Sequence, residues 1–134
     1  MKKIVLLPMD ERPCNYKFPK RLFENEEIQI IEPEQLGFKK DGADYQAIKE
    51  FLCKECKDAY GLIISMDMLL YGGLIPSRIH HQDEEILIKK LETIKELRRK
   101  NPNLKIFAFQ CIMRCPSYSS SDEEPDYYEY YGKQ

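Results

Sequence analysis

No apolar run in this sequence approaches the roughly 20 residues that a membrane-spanning helix needs. The N-terminus carries two lysines, but the apolar stretch behind them, IVLL, is four residues long and gives way to charge. That is too short for the core of a secretory signal. Basic charge is not in excess: 21 Lys and Arg stand against 23 Asp and Glu, a formal net charge of −2. Nothing in that balance points to nucleic acid or an acidic membrane surface as a partner. The five cysteines are an odd count, which without a signal sequence speaks against a disulfide framework. The only histidines are the adjacent pair His80–His81; H-x-x-x-H, G-x-G-x-x-G and the P-loop lysine are all missing. What remains is a 134-residue chain, long enough to bury one core, with the cytoplasm as the expected compartment.

What is present is an alternation. Four apolar runs, residues 3–8, 28–33, 62–66 and 104–113, read as strands. Between them lie helical patterns: a short one in YKFPKRLFEN, one in DYQAIKEFLCKECKDAYG with Asp41 or Asp44 as cap, and one over 82–100. The last opens QDEE and closes RRK, which suits the helix dipole at both ends, and Leu87, Leu91, Ile94 and Leu97 form its apolar stripe. The paired glycines and proline of DMLLYGGLIPSRIHH mark a loop. The order β-α-β-α-β-α-β predicts an α/β fold with a parallel sheet whose strands are covered on both faces. It fits either an open doubly wound, Rossmann-like sheet or the first half of a (β/α)8 barrel. Residues 1–115 then make the α/β domain or half-domain. The acidic, tyrosine-rich 116–134 reads as a loop cut short by truncation.

Parallel α/β folds bind ligands beyond the carboxyl ends of their strands, so chemistry is sought there. Strand one leads into Asp10, Glu11 and Arg12, and strand two into Glu32 and Glu34. Strand three leads into Ser65, Asp67, Tyr71, Gly72, Gly73, Ser77 and Arg78. Strand four leads into Gln110, Arg114, Ser117 and Tyr118, then Asp122, Glu123, Glu124 and Asp126. Arg12, Arg78 and Arg114 are suited to gripping a carboxylate or phosphate with paired hydrogen bonds. Asp10, Glu11 and Asp67 are suited to acid–base or nucleophilic work. The competing reading is that these are solvated or mutually paired side chains, Arg12 with Asp67 for example.

Cys53–Cys56 and Cys111–Cys115 invite a zinc reading, but Cys53 and Cys56 fall inside a predicted helix rather than a tight turn. Buried reduced thiols are preferred, with Cys14 as the thiol to test for reactivity. His80–His81 read as a polar pair flanking a helix. No metal set and no cofactor is assigned.

Three stretches, VLLPMDERPCNYKFP, SMDMLLYGGLIPSRIHH and FQCIMRCPSYSSSDEEPDYYEYYGKQ, resemble the N-terminal part of the bacterial domain-of-unknown-function family 4127. The resemblance covers essentially the whole chain. It implies that residues 1–134 are the N-terminal piece of a longer protein, and it transfers no activity. Matched residue by residue, it points to Asp10, Glu11, Arg12, Asp67, Tyr71, Gly72, Gly73, Ser77 and Arg78. It adds Arg114, Ser117, Tyr118, Ser119, Ser120, Glu123, Glu124, Asp126 and Tyr127.

The leading expectation is a cytoplasmic enzyme fragment, a hydrolase in the broad sense acting on a sugar or an anionic small molecule. Asp10, Glu11 and Asp67 would be its catalytic carboxylates. Arg12, Tyr71, Gly72, Gly73, Ser77, Arg78, Arg114, Ser117, Tyr118, Glu123 and Asp126 would hold substrate, and Tyr127, Tyr128, Tyr130 and Tyr131 would wall the site. The alternatives are a non-catalytic binding or interaction module and a truncated, non-functional piece. The expected partners are a small molecule and, across exposed strand edges, a missing C-terminal part or a second copy.

Overall fold

The computed structural model describes residues 1–112. The apolar runs become four strands: β1 (Lys2–Leu7), β2 (Ile28–Ile31), β3 (Gly61–Ser65) and β4 (Lys105–Phe109). All pair in parallel, in the order β2-β1-β3-β4. In a barrel successive strands are neighbours, so β2 would lie against β3. Here β1 stands between them, with Ile4 opposite both Ile30 and Gly61. The sheet is therefore the open, doubly wound alternative, with all four carboxyl ends on one edge.

Between β1 and β2 the chain makes two short helices, α1 (Pro13–Tyr16) and α2 (Phe18–Phe23). Pro13 opens the first, where its missing N–H costs nothing. The Tyr16 hydroxyl donates to the Pro33 carbonyl and Lys17 Nζ pairs with Glu32 Oε1 at 2.9 Å, fastening this unit to the end of β2. Next comes α3 (Tyr45–Glu55), capped by Asp44, whose side chain accepts the Gln46 N–H at 3.1 Å. A 3-10 turn, Cys56–Asp58, leads into β3.

The stretch expected to be a loop is instead two helices, α4 (Met66–Tyr71) and α5 (Leu74–Ile79), jointed at Gly72–Gly73. Ser65 caps α4 by accepting the Met68 N–H, and Gly72 ends it in the left-handed region at φ 86°. The longest helix, α6 (Glu84–Lys100), precedes β4. Its buried stripe differs from the expected one: Leu97 is buried and Ile94 packs beside it, but Leu91 is exposed and Thr93 takes the inner position. The Thr93 hydroxyl bonds the Tyr45 hydroxyl at 2.6 Å, and Lys90 Nζ donates to the Leu70 carbonyl at 2.9 Å. The inner face of α6 thus adds polar clasps on α3 and α4 to the apolar contacts of Ile94 and Leu97.

Alternation along the strands divides the sheet. Val5, Leu7, Leu62 and Ile64 point to one face and form the core with Ile48, Leu52 and Cys56, Met68 and Leu69, and Leu97. Among the described residues the opposite face is only partly covered, where the apolar runs led one to expect full cover: Leu6 and Ile30 are buried but Ile63 is not. There α1 and α2 leave a groove of about 500 Å³ over Ile4, Leu6, Ile30 and Ile63, and Phe107 stays 60% exposed. Among the described residues no helix is long and apolar enough to cross a membrane.

Candidate functional site

A doubly wound sheet opens a crevice where the strand order reverses, here between β1 and β3. Two carboxylates flank that point, Asp10 after β1 and Asp67 in the first turn of α4. Both are buried, at 5% and 3% exposure.

Asp10 is held by its own turn. Its Oδ1 accepts the Arg12 backbone N–H at 3.1 Å and the Asn15 amide at 2.8 Å, and its Oδ2 accepts Arg12 Nε at 2.7 Å. Arg12 is therefore paired with Asp10, not Asp67, while its side chain stays 57% exposed. The bond to Asp10 raises the guanidinium above its usual value. Glu11 reaches the other way: its Oε1 accepts the Lys39 backbone N–H at 2.8 Å. Asp67 ties the third strand end to the fourth, its Oδ2 accepting the Cys111 N–H at 3.0 Å.

Two clefts meet at this edge. One, of about 580 Å³, is lined by Asp67, Tyr71, Ser77, Gln110 and Cys111. The other, of about 540 Å³, is lined by Asp10, Glu11, Arg12, Phe38 and Lys39. They share Leu74 and Arg78, one helical turn apart on α5. The Cys111 thiol reports how tightly the charges gather: burial, then Asp67, pushes its pKa up, Asp10 pushes the same way, and Arg78 and Arg12 oppose them. A thiol raised in this way stays protonated at neutral pH and is a poor nucleophile.

Of the sequence candidates, the structure brings together Asp10, Glu11, Arg12, Asp67, Tyr71, Ser77 and Arg78. Gly72 and Gly73 are buried at the joint between α4 and α5. Arg114, Ser117, Tyr118, Ser119, Ser120, Glu123, Glu124, Asp126 and Tyr127 lie outside the described residues, as do Tyr128, Tyr130 and Tyr131. Sequence reasoning missed Phe38 and Lys39, which follow β2 in what reads as an ordinary polar loop, and Cys111, which it read as a buried reduced thiol in preference to a zinc ligand and not as part of the site. Cys56 is buried, and burial pushes its thiol up to about 12. Cys14 is exposed. Among the described residues no group of three or more His, Cys, Asp or Glu could hold a metal ion.

His80 packs beside the cleft residue Tyr71, its ring 4.4 Å from the tyrosine ring and its Nδ1 accepting the Gln82 N–H at 3.2 Å. Burial holds the imidazole below its usual 6.5, with His81 and Lys90 adding to the effect. Between the folded and unfolded values the unfolded chain binds more protons, so the stability present at neutral pH is lost as pH falls below the unfolded value. The urea midpoint is expected to drop as the pH falls below about 6.5, the unfolded value, and His80→Gln to flatten that drop. An unchanged slope in the variant would remove His80 from the account.

These features define an open, doubly wound α/β protein with a polar crevice at its switch point. The chain belongs to the family described as "Protein of unknown function (DUF4127)", which it matches over residues 4–134. Comparison with curated proteins and with solved structures gives no match.

Proposed function

We propose that the crevice binds a sugar or another polar, anionic small molecule, and that the chain is the N-terminal part of an enzyme, a hydrolase in the broad sense, that acts on it. The observation that carries this reading is the shared wall. Arg78 borders both clefts, with the buried carboxylate Asp67 in one and Arg12 in the other. The arginines would hold the anionic group by charge-assisted hydrogen bonds, while Asp67 would accept a ligand hydroxyl or a proton. Asp10, with both oxygens engaged by Arg12 and Asn15, acts in this reading as the brace that aims Arg12.

That engagement also favours a second reading, a binding module without chemistry, because Asp10, although it lines a cleft, has both oxygens taken up by internal donors. Titration of the chain with sugars and sugar phosphates tests both. Arg78→Gln is expected to weaken binding at least about tenfold, as loss of one charge-assisted hydrogen bond should. In the enzyme reading Asp67→Asn lowers turnover of a bound ligand by about a hundredfold or more with little change in affinity. In the module reading it weakens binding, and the wild type turns nothing over. Unaltered binding by Arg78→Gln would sink both.

A further inference from the structure

The connection from β2 to α3 carries a feature that its polar sequence does not announce. Phe38 and Asp41 exchange backbone hydrogen bonds, 2.8 Å one way and 2.9 Å the other, closing residues 38–41 into a tight turn. Lys39 sits in the left-handed region at φ 50°, the one described residue other than glycine with positive φ. That conformation costs energy for a side chain other than Gly, Asn or Asp. The turn is nevertheless fixed from two sides. A Cβ on Gly37 would lie 2.0 Å from the Asp41 carbonyl oxygen, and Glu11 Oε1 accepts the Lys39 N–H at 2.8 Å. The result is a rigid lip presenting two side chains to the cleft beside Asp10: Lys39, and Phe38 at 66% exposure.

The cleft therefore combines three chemistries. Arg12, Lys39 and Arg78 are cations that suit a phosphate. The Glu11 carboxylate is an acceptor for hydroxyls. Phe38 takes no part in the core; Lys39 Nζ lies 5.6 Å from the centroid of its ring, and the C–H face of a sugar ring is the complementary surface for the ring beside that ammonium. Resting on the crevice reading above, we infer that its ligand is a phosphorylated sugar. Phe38 covers the ring, and Lys39 joins the two arginines on the phosphate. The strained backbone of Lys39 is then the means by which an ammonium is delivered to the cleft from so short a turn.

The test is isothermal titration of the intact chain with hexose and pentose phosphates, with inorganic phosphate, the parent sugars and nucleoside monophosphates as references. One sugar phosphate is expected to bind at least about tenfold tighter than inorganic phosphate or its parent sugar. Phe38→Ala is expected to remove about tenfold of that affinity while leaving inorganic phosphate unchanged. Lys39→Asn, neutral and at ease in the left-handed region, is expected to weaken both ligands without lowering the melting temperature. If Arg78→Gln abolishes binding but Phe38→Ala and Lys39→Asn do not touch it, the crevice stands and the lip is refuted. If Arg78→Gln is also silent, or no compound binds, the crevice and the lip fall together. A nucleoside monophosphate that outbinds every sugar phosphate overturns the ligand class.

Discussion

Gly72→Ala is expected to cost about 3 kcal/mol, the sum of an alanine forced into the left-handed region and the repacking around an inserted methyl. Gly72 ends α4 at φ 86°, and its carbonyl accepts the Ala43 N–H at 2.9 Å. A Cβ there would lie 2.7 Å from the Ala43 nitrogen, 3.0 Å from the Ala43 oxygen and 3.0 Å from Gly42 Cα. All three are backbone atoms, so no side-chain rotation relieves the clash. Either the connection before α3 moves away or the joint to α5 opens, and both disturb the crevice. The loss is a large share of the roughly 5–15 kcal/mol that stabilises a domain of this kind. Gly61→Ala is the control: its Cβ would meet only Ile4 Cδ1 and the Lys105 oxygen, both at 3.4 Å, and should cost under about 1 kcal/mol. Urea unfolding of both variants decides the matter, and near-equal midpoints would show that the Gly72–Ala43 approach is not the constraint.

Asp10→Ala is expected to be nearly as severe, at about 3 kcal/mol, because a buried carboxylate serving three donors is removed and charged hydrogen bonds are worth about 1.5–3 kcal/mol each, though not additively. The partner substitution should be milder. Arg12 is mostly solvated, so Arg12→Ala removes one bond and leaves Asp10 its Asn15 and backbone donors; about 1 kcal/mol is expected. Asp10→Asn keeps an acceptor for the backbone N–H and for Asn15 but turns an amide group toward Arg12 Nε, and falls between the two. If Asp10 is a brace, these losses appear in the unfolding midpoint, while ligand affinity in the folded Asp10→Asn protein stays within a few-fold of wild type. A variant that keeps its stability but loses turnover would return Asp10 to the catalytic role its position first suggested.

The elements were readable where the signal is local. IVLL and LIIS are strands because nothing in them breaks an apolar run, and Asp44 caps α3 because a side-chain oxygen before a helical stripe meets a free N–H. The helices α4 and α5 were hidden by their own punctuation. Gly72–Gly73 and Pro76 are turn residues by composition, yet the glycines end one helix and join the next. Pro76 lies in the first turn of α5, where an N–H has no helical partner to lose. Strand order was out of reach for a different reason: Ile4 finds Ile30 and Gly61 across long stretches of chain, and no periodicity encodes such a choice. The charged strand ends were found by a topological rule, but their pairing was not. Arg12 turns back on Asp10 because the α1 turn brings guanidinium and carboxylate together two residues apart. On α6, Leu91 yields the inner face to Thr93 and Lys90 because the Tyr45 hydroxyl and the Leu70 carbonyl there need partners.

The central place of β1 sets the order in which the protein can be built. Of the four described strands the one made first, β1, has neighbours on both sides, and its second neighbour, β3, does not begin until Gly61. While the chain is being synthesised, Val5 and Leu7 have no core to enter until β3 and α3 are also present. Closing so long a span precedes any reward from it, which slows folding and prolongs the time in which an apolar edge stands open. Residence on the ribosome, or a chaperone that shields the first few residues, therefore matters more for this chain than for one in which each strand pairs with the next.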